Sequence, residues 1–172
     1  DGRYSEEWLA KGLKTIDAEL VEQFLFDGSH YELSPMYHSI MLWDLADLIY
    51  LCQFSEIPEL KTRKEIWVKT FTRGMQWLQN MVHLDREIAF FNDSTFGSAP
   101  TIDNLLDYAS ILNLQLPTGQ RKSGLNGQLL KESGYGIIEW ESDHKLIVDI
   151  AKIGPDYQPG HGHADTLSFE LS

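Results

Sequence analysis

Three stretches of this 172-residue sequence gather the side chains that could move protons or hold a metal. The first is Asp27-Gly28-Ser29-His30-Tyr31-Glu32-Leu33-Ser34-Pro35-Met36-Tyr37-His38. Ser34-Pro35 reads as a helix start, with serine as N-cap and proline at the first helical position. Tyr37 and His38 then fall in the first turn, near a positive helix end that favours anions and would help Tyr37 ionise. The same pattern also suits an ordinary cap with two packing aromatics. The second stretch is Gly160-His161-Gly162-His163-Ala164-Asp165. Two histidines at i and i+2 beside an acid suit a metal site or an acid–base pair, and a surface turn equally. On a regular strand both imidazoles would share a face. The third is Asn92-Asp93 among Phe90, Phe91 and Phe96, which reads most simply as a turn packed by the rings. His83 and His144 read as surface or turn residues.

These stretches need elements to place them, and the first two thirds of the chain predict helices. Ser5 precedes Glu6 and Glu7, and Trp8, Leu9, Leu13, Ile16, Leu20, Phe24 and Leu25 follow at helical spacing until Asp27-Gly28-Ser29. A second helix over about Pro35 to Gln53 is apolar nearly all round, which predicts burial between other helices. Cys52 lies within it and reads as core. A third helix runs from about Thr62 to Met81 and a fourth from Thr101 to Leu112. Residues 113 to 127 are polar and glycine-rich, so the boundary between two domains, 1–115 and 116–172, is placed there. Beyond it, Gly136 to Trp140 and Lys145 to Ala151 read as strands joined by a turn at 141–144. Thr166 to Leu171 alternates polar and apolar, the pattern of a half-buried strand. The fold class expected is mainly α, then β.

Composition narrows the function. The chain is 42% hydrophobic and 23% charged, with 14 basic and 26 acidic residues and a net charge of -12. Ordinary globular content excludes disorder. No basic run exceeds Arg63-Lys64 or Arg121-Lys122, which argues against nucleic acid as a partner. No run of eighteen apolar residues occurs, so no membrane span is expected. One cysteine, Cys52, cannot form an intrachain disulfide.

The loop from Asp27 to His38 resembles the substrate loop of heparinase II/III-like polysaccharide lyases. The segment Gly-His-Gly-His-Ala-Asp-Thr-Leu-Ser-Phe-Glu-Leu from Gly160 to Leu171 is similar to another of that family's segments, and Phe91 to Thr101 to a third, in the family's order. The resemblance implies a partial α/α toroid followed by the beginning of an antiparallel β-sandwich. It also implies a central portion of a longer protein, inactive in isolation and open to assembly as a homo-oligomer. Its substrate would be an acidic polysaccharide, cut by β-elimination beside a uronic acid, and the location periplasmic or secreted. Tyr37 matches the catalytic tyrosine and His161 a histidine near the substrate. His163 matches a ligand of a structural metal, usually zinc. His30, Glu32, His38 and Asn92 are the candidate substrate contacts. The family's Asn-His pair, which neutralises the uronate, is not found in this sequence.

Such chemistry needs those residue types. The C5 proton beside a carboxylate is poorly acidic, so the carboxylate must be neutralised, a base must take the proton and an acid must protonate the leaving O4. Two other readings stand beside the lyase. His161-x-His163-x-Asp165 resembles the first metal motif of metallo-β-lactamases, which would make a metallohydrolase, although Thr166 stands where a histidine normally follows. A non-catalytic glycan-binding protein could also keep the lyase fold.

Overall fold

The computed structural model describes residues 2, 4–117, 124–141, 143–152, 160 and 167–172. Five helices come first: α1 (Ser5–Gln23), α2 (Pro35–Phe54), α3 (Pro58–Lys61), α4 (Lys64–Asn80) and α5 (Ile102–Ile111). Four strands follow: β1 (Asn126–Leu130), β2 (Tyr135–Trp140), β3 (His144–Asp149) and β4 (Phe169–Leu171). They form one antiparallel sheet in the order β1-β2-β3-β4. The order of helices and then strands is the one expected. β1 and the short α3 were not. Asn126 and Gly127 fall in the polar, glycine-rich stretch read as linker, and they join a strand because β2 supplies the backbone partners.

Caps explain several helix boundaries. The Ser34 hydroxyl accepts the Tyr37 N–H at 3.3 Å, with Pro35 at the first helical position. Thr101 and Asn104 form a reciprocal capping box on α5. Ser5 does not cap α1; the N-cap is Tyr4, with no side-chain bond. The helical core joins Leu42, Leu45, Ala46, Ile49 and Cys52 of α2 to Trp67, Phe71, Met75 and Leu78 of α4 and Leu105 and Ala109 of α5. Gly74 permits the close approach of α2 and α4. A Cβ there would lie 2.6 Å from Leu42 Cδ2. The all-round apolar α2 is buried on this side only, and Tyr50, Leu51 and Phe54 stay exposed.

A second core lies under the sheet. Leu130, Tyr135, Ile137 and Ile147 pack on Leu33, Trp77, Met81, Ala89 and Phe91 from the helical part. Strand alternation decides this face, since Tyr135, Ile137, Ile147 and Lys145 are buried while Ile138 is exposed. β4 reverses what its pattern suggests. Phe169 and Leu171 point away from the helices and are exposed, whereas Glu170 points inward. A polar anchor on the inner face, described below, sets that register.

Candidate functional site

Tyr37 stands in the first turn of α2, half-exposed, and donates from Oη to Asp93 Oδ2 at 2.7 Å. Asp93 belongs to the loop between α4 and α5. Asn92, held at φ +53°, turns the backbone there. The two segments are clasped. Ser34 Oγ lies 3.0 Å from Ser94 Oγ and 3.4 Å from the Asp93 carbonyl, and the Met36 N–H donates to Ser94 Oγ at 3.4 Å. Ser34 therefore caps α2 and ties it to the Asp93 loop.

The electrostatics run against the helix-end expectation for Tyr37. Its phenol is held above the ordinary range, first by the hydrogen bond to Asp93, then by burial and by the negative charges of Asp93 and Glu32. A hydrogen bond to a carboxylate favours the protonated phenol and outweighs a partial helix dipole. A second pair behaves alike. Tyr108 Oη donates to Asp47 Oδ1 at 2.5 Å across α5 and α2, and its phenol is pushed up to about 12, with burial the first cause. Bonding to an aspartate is therefore not what distinguishes Tyr37; its place on the clasped loops is.

His38 is fully buried and both ring nitrogens are engaged. The His30 N–H donates to Nδ1 at 3.0 Å, so Nδ1 carries no proton, and Nε2–H donates to the Gly74 carbonyl at 2.9 Å. Burial pushes its pKa down to about 4. The ring packs on Trp77 with centroids 4.7 Å apart. His38 thus ties the 27–34 loop to α4, and neither nitrogen is available to a sugar. His30 is also buried, with Nε2 3.3 Å from Gln23 Oε1 and Nδ1 without a partner among the described residues. Burial, then the neighbouring His38, lowers its pKa to about 3. Glu32 is half-exposed beside Tyr37. Asn92 is buried and its amide donates to the Leu33 carbonyl at 3.0 Å and to Tyr135 Oη at 2.9 Å. Tyr135 Oη in turn donates to that carbonyl at 2.8 Å. The Asn92 amide is spent on joining loop to sheet. Of the residues expected to meet substrate, Tyr37 and Glu32 come together on the exposed side, with Asp93 between the loops. His161, His163 and Asp165 lie outside the described residues.

Asp27, read only as a helix breaker, orders this region. Its Oδ2 accepts the Ser133 N–H and hydroxyl, each at 2.8 Å, and Ser133 Oγ accepts Trp77 Nε1–H at 2.9 Å. Gly28, at φ +98°, lies where a Cβ would collide with the Arg73 carbonyl. His83, expected at the surface, has Nε2 2.7 Å from Glu170 and Nδ1 2.8 Å from Ser172 Oγ. The other Glu170 oxygen accepts the Phe90 N–H at 2.7 Å, which explains why β4 turns its acid inward. Sequence spacing carried no signal for these pairings, because each joins residues 56 or more apart in the chain.

A cleft of about 660 Å³ lies between the end of α4 and β1–β3, lined by Gln76, Gln79, Asn80, Asn126, Gln128 and Glu139 among others. Tyr37 is not among the residues that line it. Among the described residues, Glu141, Asp143 and His144 bring possible metal-ligand atoms within 4.8 Å of one another. All three are exposed on the β2–β3 turn. One nitrogen and two carboxylates in open solvent do not fit a structural zinc, which takes four ligands, mostly sulfur and nitrogen.

The chain belongs to the heparinase II/III family: the description "Heparinase II/III N-terminus" matches residues 3–114, and "Heparinase II/III-like, C-terminal" matches 123–172. Solved structures agree on the fold. A crystal structure of heparinase III superposes with a TM-score of 0.72 at 17% identity, covering 98% of this chain and 30% of that one. A mutant of the heparan sulfate lyase HepC from Pedobacter heparinus gives 0.73 at 16%, covering 98% and 28%. A heparinase III, the BT4657 gene product, gives 0.62 at 18%, covering 98% and 27%. The chain therefore spans less than a third of the length of these structures. No curated protein sequence matches it.

Proposed function

We propose that this chain carries the proton-transferring tyrosine of a polysaccharide lyase that cleaves uronic-acid-containing polysaccharide by β-elimination. The observation that supports it best is Tyr37: a half-exposed phenol bonded to Asp93 on two clasped loops, in a chain of the heparinase II/III family. In such a reaction Tyr37 transfers a proton at C5 or O4 of the sugar. Glu32 lines the same approach. Asn92, His30 and His38 act from behind by fixing the loops. His161 is the further group proposed at the substrate. A structural zinc, if held, would rest on His163; comparing metal content with and without His163→Ala tests that, and no reaction step is routed through it.

The test is incubation of the protein with heparan sulfate, alginate and polyguluronate while following ultraviolet absorbance. A β-elimination creates a C4=C5 double bond and the absorbance rises. Hydrolysis shortens the polymer without that rise, and simple binding does neither. Chain shortening without unsaturated product would overturn the lyase reading.

A further inference from the structure

Asp93 has no role in the reading above except as a neighbour of Tyr37, yet the structure builds its position with care. Ser34, which caps α2 and so places Tyr37, also bonds the Asp93 carbonyl and the Ser94 hydroxyl. Ser94 bonds the Met36 N–H. Asn92, at positive φ, is anchored by Leu33 and Tyr135. The residues on both sides of Asp93 are thus pinned to the segment that carries Tyr37. The carboxylate oxygen arrives 2.7 Å from the phenol oxygen.

Resting on the lyase reading, we propose that Asp93 is a positioning residue that keeps the proton on Tyr37 and so assigns Tyr37 to the acid half of the elimination. The O–H of Tyr37 is held toward Asp93 until a glycosidic O4 arrives. The C5 proton passes to a separate nitrogen or oxygen base of the enzyme. The electron pair left at C5 forms the C4=C5 bond as the C4–O4 bond breaks. The Tyr37 O–H bond then breaks and its proton goes to O4. The phenolate left beside a carboxylate is disfavoured, and it regains a proton from water; the hydroxide so formed takes the C5-derived proton from the protonated base, which returns both groups to their starting state. Among the described residues, the charged groups facing Tyr37 are Asp93 from the α4–α5 loop and Glu32 from the α1–α2 loop. Both are acidic, and both favour the neutral phenol.

The alternative, Tyr37 as an ionised base, predicts the opposite pH behaviour, and two measurements separate them. The first needs no substrate. In the chain labelled with 13C at tyrosine Cζ, the Tyr37 resonance is assigned by Tyr37→Phe and titrated. Asp93→Asn keeps an acceptor oxygen but removes the charge, and it should bring the Tyr37 midpoint down by about 1 pH unit or more. Asp93→Glu should hold it near the wild-type value. Tyr108, paired with Asp47, is the internal control and should not move. An unchanged Tyr37 midpoint in Asp93→Asn would overturn the inference, whatever the protein does to polysaccharides. The second is the pH profile of kcat on heparan sulfate or alginate. If Tyr37 donates, activity falls as pH rises through its midpoint, and Asp93→Asn moves that alkaline limb to lower pH. A limb that rises with pH and shifts in the variant would instead mark Tyr37 as the base and overturn the acid assignment. If the wild-type protein forms no unsaturated product, the lyase reading and the acid role fall together, and the resonance titration still decides whether Asp93 holds the proton on Tyr37.

Discussion

In the helical core, Leu42, Leu45, Ile49, Trp67, Phe71 and Leu78 interlock by shape, and the Cys52 thiol simply donates to a nearby carbonyl, Leu60, at 3.0 Å. Under the sheet the packing is also apolar, but polar groups cross it at every turn. Asp27 reaches Ser133, Asn92 reaches Tyr135, and Glu170 reaches His83 and Phe90. The buried Lys145 of β3 donates to the Val82 carbonyl at 2.6 Å and to that of Gln79 at 3.3 Å, closing the end of α4. Hydrophobic packing is non-directional, so it holds helices together without fixing a loop to a fraction of an ångström. Hydrogen bonds are directional and costly to leave unmade. The loops that carry Tyr37 and Asp93 lie along the second region, where direction is specified.

The comparison predicts how each region fails. The largest effect should come from the helical core, where Phe71→Ala should cost about 3–5 kcal/mol through lost burial and a cavity. Chemical denaturation would show this as a lower midpoint with cooperativity kept. In the sheet seam, Lys145→Met should cost about 1–3 kcal/mol, because the α4 carbonyls lose a charged donor while methionine keeps the packing. Asp27→Ala strands the Ser133 N–H and hydroxyl and should cost a similar amount, with Trp77 fluorescence reporting the broken link to Ser133. If Asp27→Ala left stability and Trp77 untouched, the seam would be apolar packing like the helical core, and the contrast would fail.

How far the sequence announced all this follows the same division. The four main helices and three of the four strands were legible, because periodicity and caps such as Ser34-Pro35 are local. α2 was legible as core and its exposed outer face was not, since an all-round apolar helix does not say which side has neighbours. β1 was hidden because its strand character comes from pairing with β2 rather than from its own residues. The crowding of polar and aromatic groups on the 27–38 loop was legible, and so was the place of Tyr37 in the first turn of α2. The roles of the loop's histidines were not: they read as substrate contacts in sequence and are tethers in space, His38 held by the Gly74 carbonyl and the His30 N–H, and His30 by Gln23. Asp93 reads as a turn residue because its partner lies 56 positions away.

pH sharpens the contrast further. His38 and His30 are neutral when folded, at about 4 and about 3, and would titrate near the free value of about 6.5 when unfolded. Between those values the unfolded chain binds more protons. Stability should therefore be full above about pH 6.5 and fall as pH drops toward 4, by up to roughly 1.4 kcal/mol per pH unit for each histidine. Denaturation midpoints from pH 7 to 4.5 measure this. His38→Asn lowers stability overall but should flatten the slope, and an unaltered slope would assign the acid sensitivity elsewhere.

The smallest effect is expected where a polar link exists without burial. Arg63 donates to both carboxylate oxygens of Asp17 at 2.7 to 3.0 Å and ties α4 to α1, with geometry as good as any in the seam. Yet both side chains are partly in water, at 25% and 43% exposed. Water competes for each partner when the pair is broken, so neither group is left unsatisfied, and salt screens what remains. Arg63→Gln should then cost about 0–1 kcal/mol, less still in high salt, and leave the tyrosine titration of the clasped loops where it was. If Arg63→Gln destabilised the chain as much as Asp27→Ala, bond geometry alone would set the strength of these links. A small effect beside a large one at Asp27 would show that a link positions the site only where its broken partners have no water to turn to.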